Sequence, residues 1–428
     1  MVIKGPVVLR CVASLGTGVA ISTGYPLGIA AAIAMPMLAM QQPTRRTAYR
    51  SAFCYYAGAL WPVIPAARNF FGASASLLHG VVAWFVAATL LAAPWPVGWT
   101  RRENQLLWRV PLALIATVLP PLGIIGCASP LTAAGLLFPG TGWFGLIAVV
   151  LLCAGLCVKS SAFRVTLAAV TLAIFANAIY PHDPQPPTGW EAVNTHFGPI
   201  AHGPADPIRA YTAAQSIRSR AEASRARVLI FPETVVPRWT VATDLFWQQT
   251  LANLSASRKT IFVGSGLSES SQLYRSNPTL AGYDLAEAIA VLRSDTSPRP
   301  LQRRGQDLGT SDVYKNAVVI RGAESATFVQ RVPVPLGMWH PFSSAGVPLN
   351  LFGSGVVCIG GQRAAVLICY EQLLTWPVLS SMLQHPTLIV AVANDYWVED
   401  TSIPRCQANS VRAWARLFGI AVLSAVNH

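Results

Sequence analysis

Three apolar runs of the sequence each lead into a polar residue that could take part in covalent chemistry. Val-Leu-Ile-Phe-Pro leads into Glu233, Ala-Val-Leu-Ile leads into Cys369, and Val-Ala-Val-Ala leads into Asn394. A thiolate attacks a carbonyl carbon well, and a nearby carboxylate can take the thiol proton. A cysteine behind an apolar strand can also be a buried filler, so the residues alone leave both interpretations open.

The elements that must position these residues form an α/β pattern. Near-continuously apolar runs are typical of strands covered on both faces, and their alternation with helical patterns indicates a layered α/β domain. Ligands of such sheets bind beyond the carboxyl ends of the strands, so the three polar clusters could share one site. We predict strands at 227–231, 260–263, 317–320, 364–368, 388–392 and 419–423, and helices at about 207–224, 283–293, 372–384 and 405–417.

Composition divides the chain into two parts. The 428 residues are 53% hydrophobic and only 11% charged, whereas soluble domains carry about 25% charged residues. Up to His182 there are eleven Lys or Arg residues but a single acid, Glu103. We therefore expect a transmembrane helical domain at 1–181 and a water-soluble domain at 182–428. The excess base lies in short loops between apolar runs, so no nucleic-acid binding is expected.

The loops of the first part predict its orientation in a membrane. About seven apolar runs of spanning length occur, at roughly 7–23, 25–40, 51–67, 77–95, 108–127, 139–158 and 163–180. Seven spans place ten basic residues in alternate loops and leave only Arg68 in the opposite ones. This bias predicts a multi-pass inner-membrane protein of bacteria with a cytoplasmic N-terminus and a periplasmic C-terminal domain. Six or eight spans with a cytoplasmic domain would break the alternation.

The cysteines give no sign of a metal site or a cofactor. No C-x-x-C pair and no Cys/His metal spacing occurs, so neither a metal nor a cofactor is expected. The second part contains Cys358, Cys369 and Cys406. An odd number in an oxidising compartment leaves at least one thiol unpaired or pairing between chains.

Four motifs in order resemble those of the nitrilase, or carbon–nitrogen hydrolase, superfamily. They are Phe-Pro-Glu-Thr-Val-Val-Pro at 231–237, Val-Pro-Leu-Gly at 334–337, Ile-Cys-Tyr-Glu at 368–371 and Ala-Asn-Asp-Tyr-Trp at 393–397. Together with the Gly-Thr-Gly-Trp-Phe-Gly loop at 140–145, nearly the whole chain resembles the apolipoprotein N-acyltransferases and a family of plasmid conjugal-transfer proteins with the same architecture. The resemblance implies about seven membrane-spanning helices followed by a four-layer αββα sandwich. The sequence ends before the positions of the family's final strands and last transmembrane helix.

The resemblance also implies roles for individual residues. Glu233 matches the catalytic base and Cys369 matches the nucleophile that carries the acyl group. Residues beside these positions are expected to line the substrate site: Tyr370, Glu371, Asn394 and Trp397.

The match fails at the lysine that holds the oxyanion in this superfamily. Gln330 occupies the lysine place, Met338 replaces a glutamate of the acyltransferases, and Ala415 replaces another. Losing an oxyanion donor costs roughly 3–4 kcal/mol of transition-state stabilisation. Arg331 is the first candidate to replace the lysine, although in a strand its side chain would point to the other face. Lys315 and His340 are further candidates, and the remaining alternative is that no cation serves.

Two functions remain open on these residues. The first is a cysteine-dependent N-acyltransferase or carbon–nitrogen hydrolase that acts on a membrane lipid or another acyl donor. The second is a catalytically degenerate membrane scaffold or accessory protein that binds other proteins of a conjugation apparatus. A transporter is disfavoured because the predicted spans contain no acidic residue and no paired charges.

Overall fold

The computed structural model describes residues 5–71, 77–180, 182–199, 207–268, 314–341, 343 and 346–428. The part of the chain before residue 180 folds into helices. These are α1 (Gly5–Ser22), α2 (Pro26–Ala31), α3 (Ala34–Met40), α4 (Arg45–Leu60), α5 (Val63–Phe71), α6 (Leu77–Ala92), α7 (Pro94–Gly98), α8 (Glu103–Val118), α9 (Ala134–Leu137), α10 (Trp143–Cys157) and α11 (Ala162–Ile179).

Small residues allow these helices to pack closely. A Cβ added to Gly18 of α1 would collide with the backbone carbonyl of Tyr55 in α4. Close backbone approach at glycine is the usual way for helices to associate in a bilayer, where the hydrophobic effect between helices is absent.

Three stretches of helix are long and apolar enough to cross a membrane: Gly5–Ser22, Leu77–Gly98 and Ala162–Ile179. Seven complete spans are therefore not confirmed among the described residues. Several of the predicted runs are interrupted by proline, which removes a backbone donor and ends a helix. The run at 51–67 breaks around Pro62, and the run at 108–127 is helical only to Val118 before it reaches Pro120 and Pro121.

The second part of the chain contains two sheets. In one sheet the order is β1-β2-β4-β5-β6, with β3 paired to β4, and in the other it is β10-β9-β8-β7. The strands are β1 (Trp190–Ala192), β2 (Val228–Ile230), β3 (Val236–Trp239), β4 (Thr260–Ser268), β5 (Tyr314–Gly322), β6 (Ala326–Val329), β7 (Val356–Ile359), β8 (Gln362–Ile368), β9 (Leu388–Asn394) and β10 (Ala421–Asn427). Four longer helices accompany them: α12 (Pro207–Ala223), α13 (Val241–Ala256), α14 (Thr375–Met382) and α15 (Ile403–Phe418).

Alternation along the strands builds four layers. In β4, Phe262 packs between the two sheets, whereas Ile261 and Val263 face the core formed with α12 and α13. In β8, Val366 faces the first sheet and Leu367 faces outward. Successive side chains of a strand point to opposite faces, so both sheets are covered on both sides. The layer order is helix, sheet, sheet, helix, which is the nitrilase-like sandwich that the resemblance implied.

The outer helix layer of the second sheet shares its core with the membrane-type helices. Trp414 of α15 and Met382 of α14 lie in the same buried apolar cluster as Trp95 and Leu146 of the first part. The α/β layers are therefore packed directly against the helices that precede them in sequence.

Most elements of the second part are where the sequence predicts them. The six predicted strands correspond to β2, β4, β5, β8, β9 and β10, and α12, α14 and α15 overlap three predicted helices. The predicted helix at 283–293 lies outside the described residues. The sequence does not predict helix α13. Its capping box joins Thr240 to Thr243, whereas the usual sequence signal for the start of a helix has a glutamate or glutamine at the second of these positions.

Candidate active site

The topology of the two sheets brings chemically active residues to one edge. β2 and β4 are parallel, and so are β8 and β9, so their carboxyl ends lie together within each sheet. β5 is antiparallel to β4, so its first residues lie where β4 ends, and β6 returns to the same edge. Because the sheets are stacked face to face, Glu233, Asn316 and Gln330 from the first meet Cys369 and Asn394 from the second.

Glu233 is held at this edge by hydrogen bonds to both carboxyl oxygens. Asn316 Nδ2 donates to Oε1 at 2.6 Å, and the backbone N–H of Asn394 donates to Oε2 at 3.1 Å. The side chain is only 5% exposed. Gly264 of β4 lies against its backbone, and a Cβ there would collide with the Cα of Glu233. The carboxyl group is therefore fixed in place from several directions.

Cys369 lies at a strained turn directly after β8. Its φ is +47°, in the left-handed region that non-glycine residues rarely adopt. The residue is buried, and the Glu233 carboxyl group lies close enough to raise the pKa of its thiol. Gln407 of α15 approaches from the other side, with Nε2 3.8 Å from Sγ. The structure thus brings together the predicted nucleophile and the predicted base.

The protonation of this pair suits proton transfer near neutral pH. Burial raises the pKa of Glu233 to about 7, because the hydrogen bonds from Asn316, Cys369 and Asn394 offset only part of the desolvation. Burial, and after it the charges of Glu233 and Asp395, raise the pKa of the Cys369 thiol well above 9.0. The resting pair is consequently a neutral thiol beside a carboxyl group that is about half ionised at pH 7, and the thiol proton has an acceptor only when the carboxylate is present.

A second buried carboxyl group lies next to this pair. Asp395 is 3% exposed, and burial, with a contribution from Glu233, raises its pKa to about 7. Its Oδ1 has no hydrogen-bond partner in the described part of the chain. Two carboxyl groups that repel each other in this way titrate as a pair.

Gln330 lies in the lysine place of the superfamily, but its amide group has a structural role. Nε2 donates to the backbone oxygen of Ile368 at 3.2 Å, and Oε1 accepts from Asn316 at 3.0 Å. Gln330 thereby connects the residue that orients Glu233 to the strand end that carries Cys369. A neutral amide fits here because the position is completely buried.

Arg331 does not take over the lysine position. Its guanidinium Nη1 donates to Pro377 O, Ser380 Oγ and Ser381 Oγ on α14, each at 3.0 Å. Nε lies 3.5 Å from Oε1 of Glu371. Arg331 lies in irregular backbone after β6, where its side chain turns toward α14 and away from the amide of Gln330. The structure thus places this guanidinium against α14 and Glu371, and its role at the oxyanion stays a prediction.

Glu371 is also placed differently from the expectation. It is fully buried, and its carboxyl group accepts from the backbone N–H groups of Arg331, Val332 and Ile368 at 2.6, 3.1 and 3.1 Å. These bonds fasten the loop after β6 to the end of β8. Glu371 thus positions the turn that carries Cys369, and its assignment as a substrate-binding residue stays a prediction.

The other three expected substrate residues face different surroundings. Tyr370 turns toward the helical part, where its hydroxyl donates to Ile124 O at 2.9 Å. Asn394 accepts at Oδ1 from Asn427 at 2.9 Å, while its Nδ2 is buried without a partner among the described residues. Trp397 is partly exposed and packs edge-to-face on Phe70 at the end of α5, with ring centroids 5.1 Å apart.

Lys315 and His340 are the remaining candidates for a cation. Lys315 precedes Asn316 in β5 and so points to the opposite face of the sheet. His340 is half-buried beside Gly346. Met338 is held in a turn by a backbone bond to Val334, and Ala415 is buried in the apolar cluster shared with the helical part.

Sequence reasoning missed two residues of the site. Asn316 orients the base and Gln407 contacts the nucleophile, yet neither belongs to a motif that the sequence singled out. Gln407 could have been noticed as a polar residue at helical spacing from Val411 and Trp414, on the buried face of α15.

Among the described residues there is neither a disulfide bond nor a cluster of side chains that could bind a metal ion. All eight cysteines are unpaired. No group of three or more His, Cys, Asp or Glu side chains among the described residues could hold a metal ion.

Comparison with known proteins relates the chain to two groups. Residues 312–416 match the carbon–nitrogen hydrolase family. "Conjugal transfer protein TraB" of Agrobacterium fabrum is 32% identical, over 98% of this chain and 93% of its own length. "Probable conjugal transfer protein TraB" of Sinorhizobium fredii is 29% identical, over 98% of this chain and 97% of its own. A solved amidase of the nitrilase superfamily from Nesterenkonia AN1 is 12% identical, with a TM-score of 0.32 over 56% of this chain and 78% of that one.

Proposed function

We propose, since the chain belongs to the TraB family of conjugal transfer proteins, that it is a membrane-bound member whose α/β domain performs cysteine-dependent acyl chemistry. The observation that carries this proposal is that Cys369 and Glu233 are buried beside each other at the common edge of two sheets, where each group shifts the pKa of the other. A pKa of about 7 makes Glu233 a suitable base at neutral pH.

The reaction follows from the positions of these groups. Glu233 takes the proton of Cys369 as Sγ attacks the carbonyl carbon of an ester or amide. The intermediate then collapses, the bond to the leaving oxygen or nitrogen breaks, and the proton passes from Glu233 to that leaving group. Water or an amine releases the acyl group from the thioester in the second half. The product is a hydrolysed or a transferred acyl group.

An acyl donor from the bilayer suits the surroundings of the pair. Tyr370 bonds to the 3-10 turn at Leu122–Ile124 of the helical part, and Trp397 packs on Phe70 of α5. Apolar helices therefore reach the residues that flank the nucleophile. We propose a membrane lipid or another acyl donor as the substrate, and proteins of the conjugation apparatus as partners.

The direct test is acylation of the full-length protein in detergent by a p-nitrophenyl acyl ester, followed by peptide mass spectrometry. We expect an adduct on Cys369 that is lost in Cys369→Ala and strongly slowed in Glu233→Ala. Cys358→Ala is the matched control, because this exposed thiol lies in β7 of the same sheet. Equal labelling of Cys358, Cys369 and Cys406 would contradict the proposal.

A catalytically degenerate scaffold is the second candidate, and Gln330 is the observation that favours it. The position expected to carry a cation holds a neutral amide that is used for structural hydrogen bonds. Plasmid transfer from donor cells separates the two functions. An enzyme requires Cys369, so Cys369→Ala should reduce transfer while Cys358→Ala does not. Normal transfer by Cys369→Ala, together with loss of transfer when the whole protein is deleted, would establish the scaffold.

We propose the bacterial inner membrane as the location, with the N-terminus in the cytoplasm and the α/β domain in the periplasm. Three apolar helices of spanning length and the alternation of basic loops support this arrangement. The exposed Cys358 offers a test. A membrane-impermeant maleimide should label it in intact spheroplasts, with Cys358→Ser as the control. Labelling only after lysis would place the domain in the cytoplasm.

A further inference from the structure

Gln407 is a buried side chain beside the nucleophile for which the mechanism so far has no use. It is 3% exposed, and its Nε2 lies 3.8 Å from Sγ of Cys369. Its Oε1 is buried and accepts no hydrogen bond from the described part of the chain. Burying an amide with an unpartnered oxygen is costly, so the position of Gln407 calls for an explanation beyond packing.

Attack by Cys369 needs a donor for the negative oxygen that develops on the carbonyl group. That oxygen lies two covalent bonds from Sγ, and an effective donor must approach it to about 3 Å. A donor for this oxygen therefore lies a few ångströms from Sγ. Of the amide and guanidinium groups around the turn, Gln330 is committed to Ile368 and Asn316, and Arg331 is committed to α14. Asn394 Nδ2 and Gln407 Nε2 both have N–H groups to offer, and in the described ranges it is Gln407 that contacts Sγ. Gln407 has an N–H group at the right distance.

We propose that Gln407 Nε2 is the oxyanion donor of this site and supplies the neutral counterpart of the missing lysine. This inference rests on the proposed acyl chemistry. As Sγ bonds to the carbonyl carbon, the π electron pair moves onto the oxygen and the thiol proton moves to Glu233. The N–H of Gln407 then donates to that oxygen. When the intermediate collapses, the electron pair returns to re-form the carbonyl group, and the leaving group takes the proton from Glu233.

Two reactions of the same thiol distinguish this role from a structural one. Acylation by a p-nitrophenyl ester passes through an oxyanion, whereas alkylation by iodoacetamide displaces iodide at a saturated carbon and forms none. In Gln407→Met, which has nearly the same shape, we expect acylation of Cys369 to slow by about 10²–10³-fold. Alkylation should stay within about twofold of the wild-type rate. Gln407→Asn keeps the amide but withdraws it by one methylene. If Gln407→Met fails to fold, Gln407→Asn should likewise slow acylation and leave alkylation nearly unchanged.

Gln372→Met is the matched control. Gln372 is also 3% exposed, and its Nε2 donates to Val392 O at 3.0 Å rather than toward the thiol. Its acylation and alkylation rates should keep the wild-type ratio. Equal slowing of both reactions in the Gln407 variants would overturn the inference and leave Gln407 as a residue that positions the thiol, and an unchanged acylation rate would overturn it as well. Wild-type protein that alkylates but never acylates would refute the proposed function itself, before any variant is made.

Discussion

The pH dependence of Cys369 reactivity follows directly from the ionisation of Glu233. Its pKa is raised to about 7, chiefly by burial, and only the ionised carboxylate can take the thiol proton. The thiol itself has a pKa well above 9.0, so it contributes little thiolate without help at neutral pH. Glu233→Gln keeps the side-chain shape and removes the base.

The expected magnitudes come from these two ionisations. Glu233 titrates around pH 7 together with Asp395, so wild-type labelling of Cys369 should rise by up to about tenfold between pH 6 and pH 8 and then level off. Loss of a general base costs about 10²–10⁴-fold in rate, which sets the expected gap between wild type and Glu233→Gln at pH 7.

Labelling with iodoacetamide from pH 6 to 9, quantified by peptide mass spectrometry, measures both curves. The exposed Cys358 of the same molecules serves as an internal reference for the amount of active reagent at each pH. The reasoning is refuted if wild-type Cys369 shows no plateau, or if Glu233→Gln reproduces the wild-type curve.

Three further predictions concern the groups that surround the pair. Asp395→Asn removes a buried negative charge that raises the pKa of the Cys369 thiol, so it should speed labelling of Cys369 at pH 8; an unchanged or slower rate would contradict this. Arg331→Met removes the buried cation beside Glu371 and its bonds to α14, and leaves the carboxyl group only its backbone N–H donors, so it should lower the free energy of unfolding by about 3–5 kcal/mol, measured by denaturant unfolding against wild type. Gly264→Ala forces a Cβ against the backbone of Glu233, so it should slow labelling of the nucleophilic thiol while circular dichroism shows an unchanged fold.

The sequence predicted the α/β layers well because burial on both faces leaves a direct trace in it. Strands such as Leu388–Asn394 are buried at every position, which is typical of a strand covered on both faces. The helical part was harder to predict, because apolar composition indicates a membrane environment but does not show where a helix breaks. Pro62 and Pro121 interrupt runs that hydropathy alone counts as continuous.

The site could be predicted only where it follows a strand. Glu233 and Cys369 stand directly beyond strand ends, and topology brings such ends together. The roles of Arg331 and Glu371 depend on the direction of side chains in irregular backbone, which residue spacing does not fix. Gln407 lies on a helix far along the chain from the strand end that carries Cys369, and only the packing of α15 against that turn brings it to the thiol.

The cost of the arrangement is an argument for catalysis over a purely structural role. Cys369 is held at a positive φ, which costs on the order of 1–3 kcal/mol. Asp395 has a buried oxygen without a partner in the described ranges, and Glu233 keeps a carboxyl group in surroundings that oppose its ionisation. A scaffold gains nothing from these features, and an apolar core would be more stable. Strained backbone and buried polar groups typically occur together at a reactive site, because a thiol, a base and a desolvated cleft are useful only in combination. Gln330 places a neutral amide where the superfamily has a lysine, but Cys369 and Glu233 are both present.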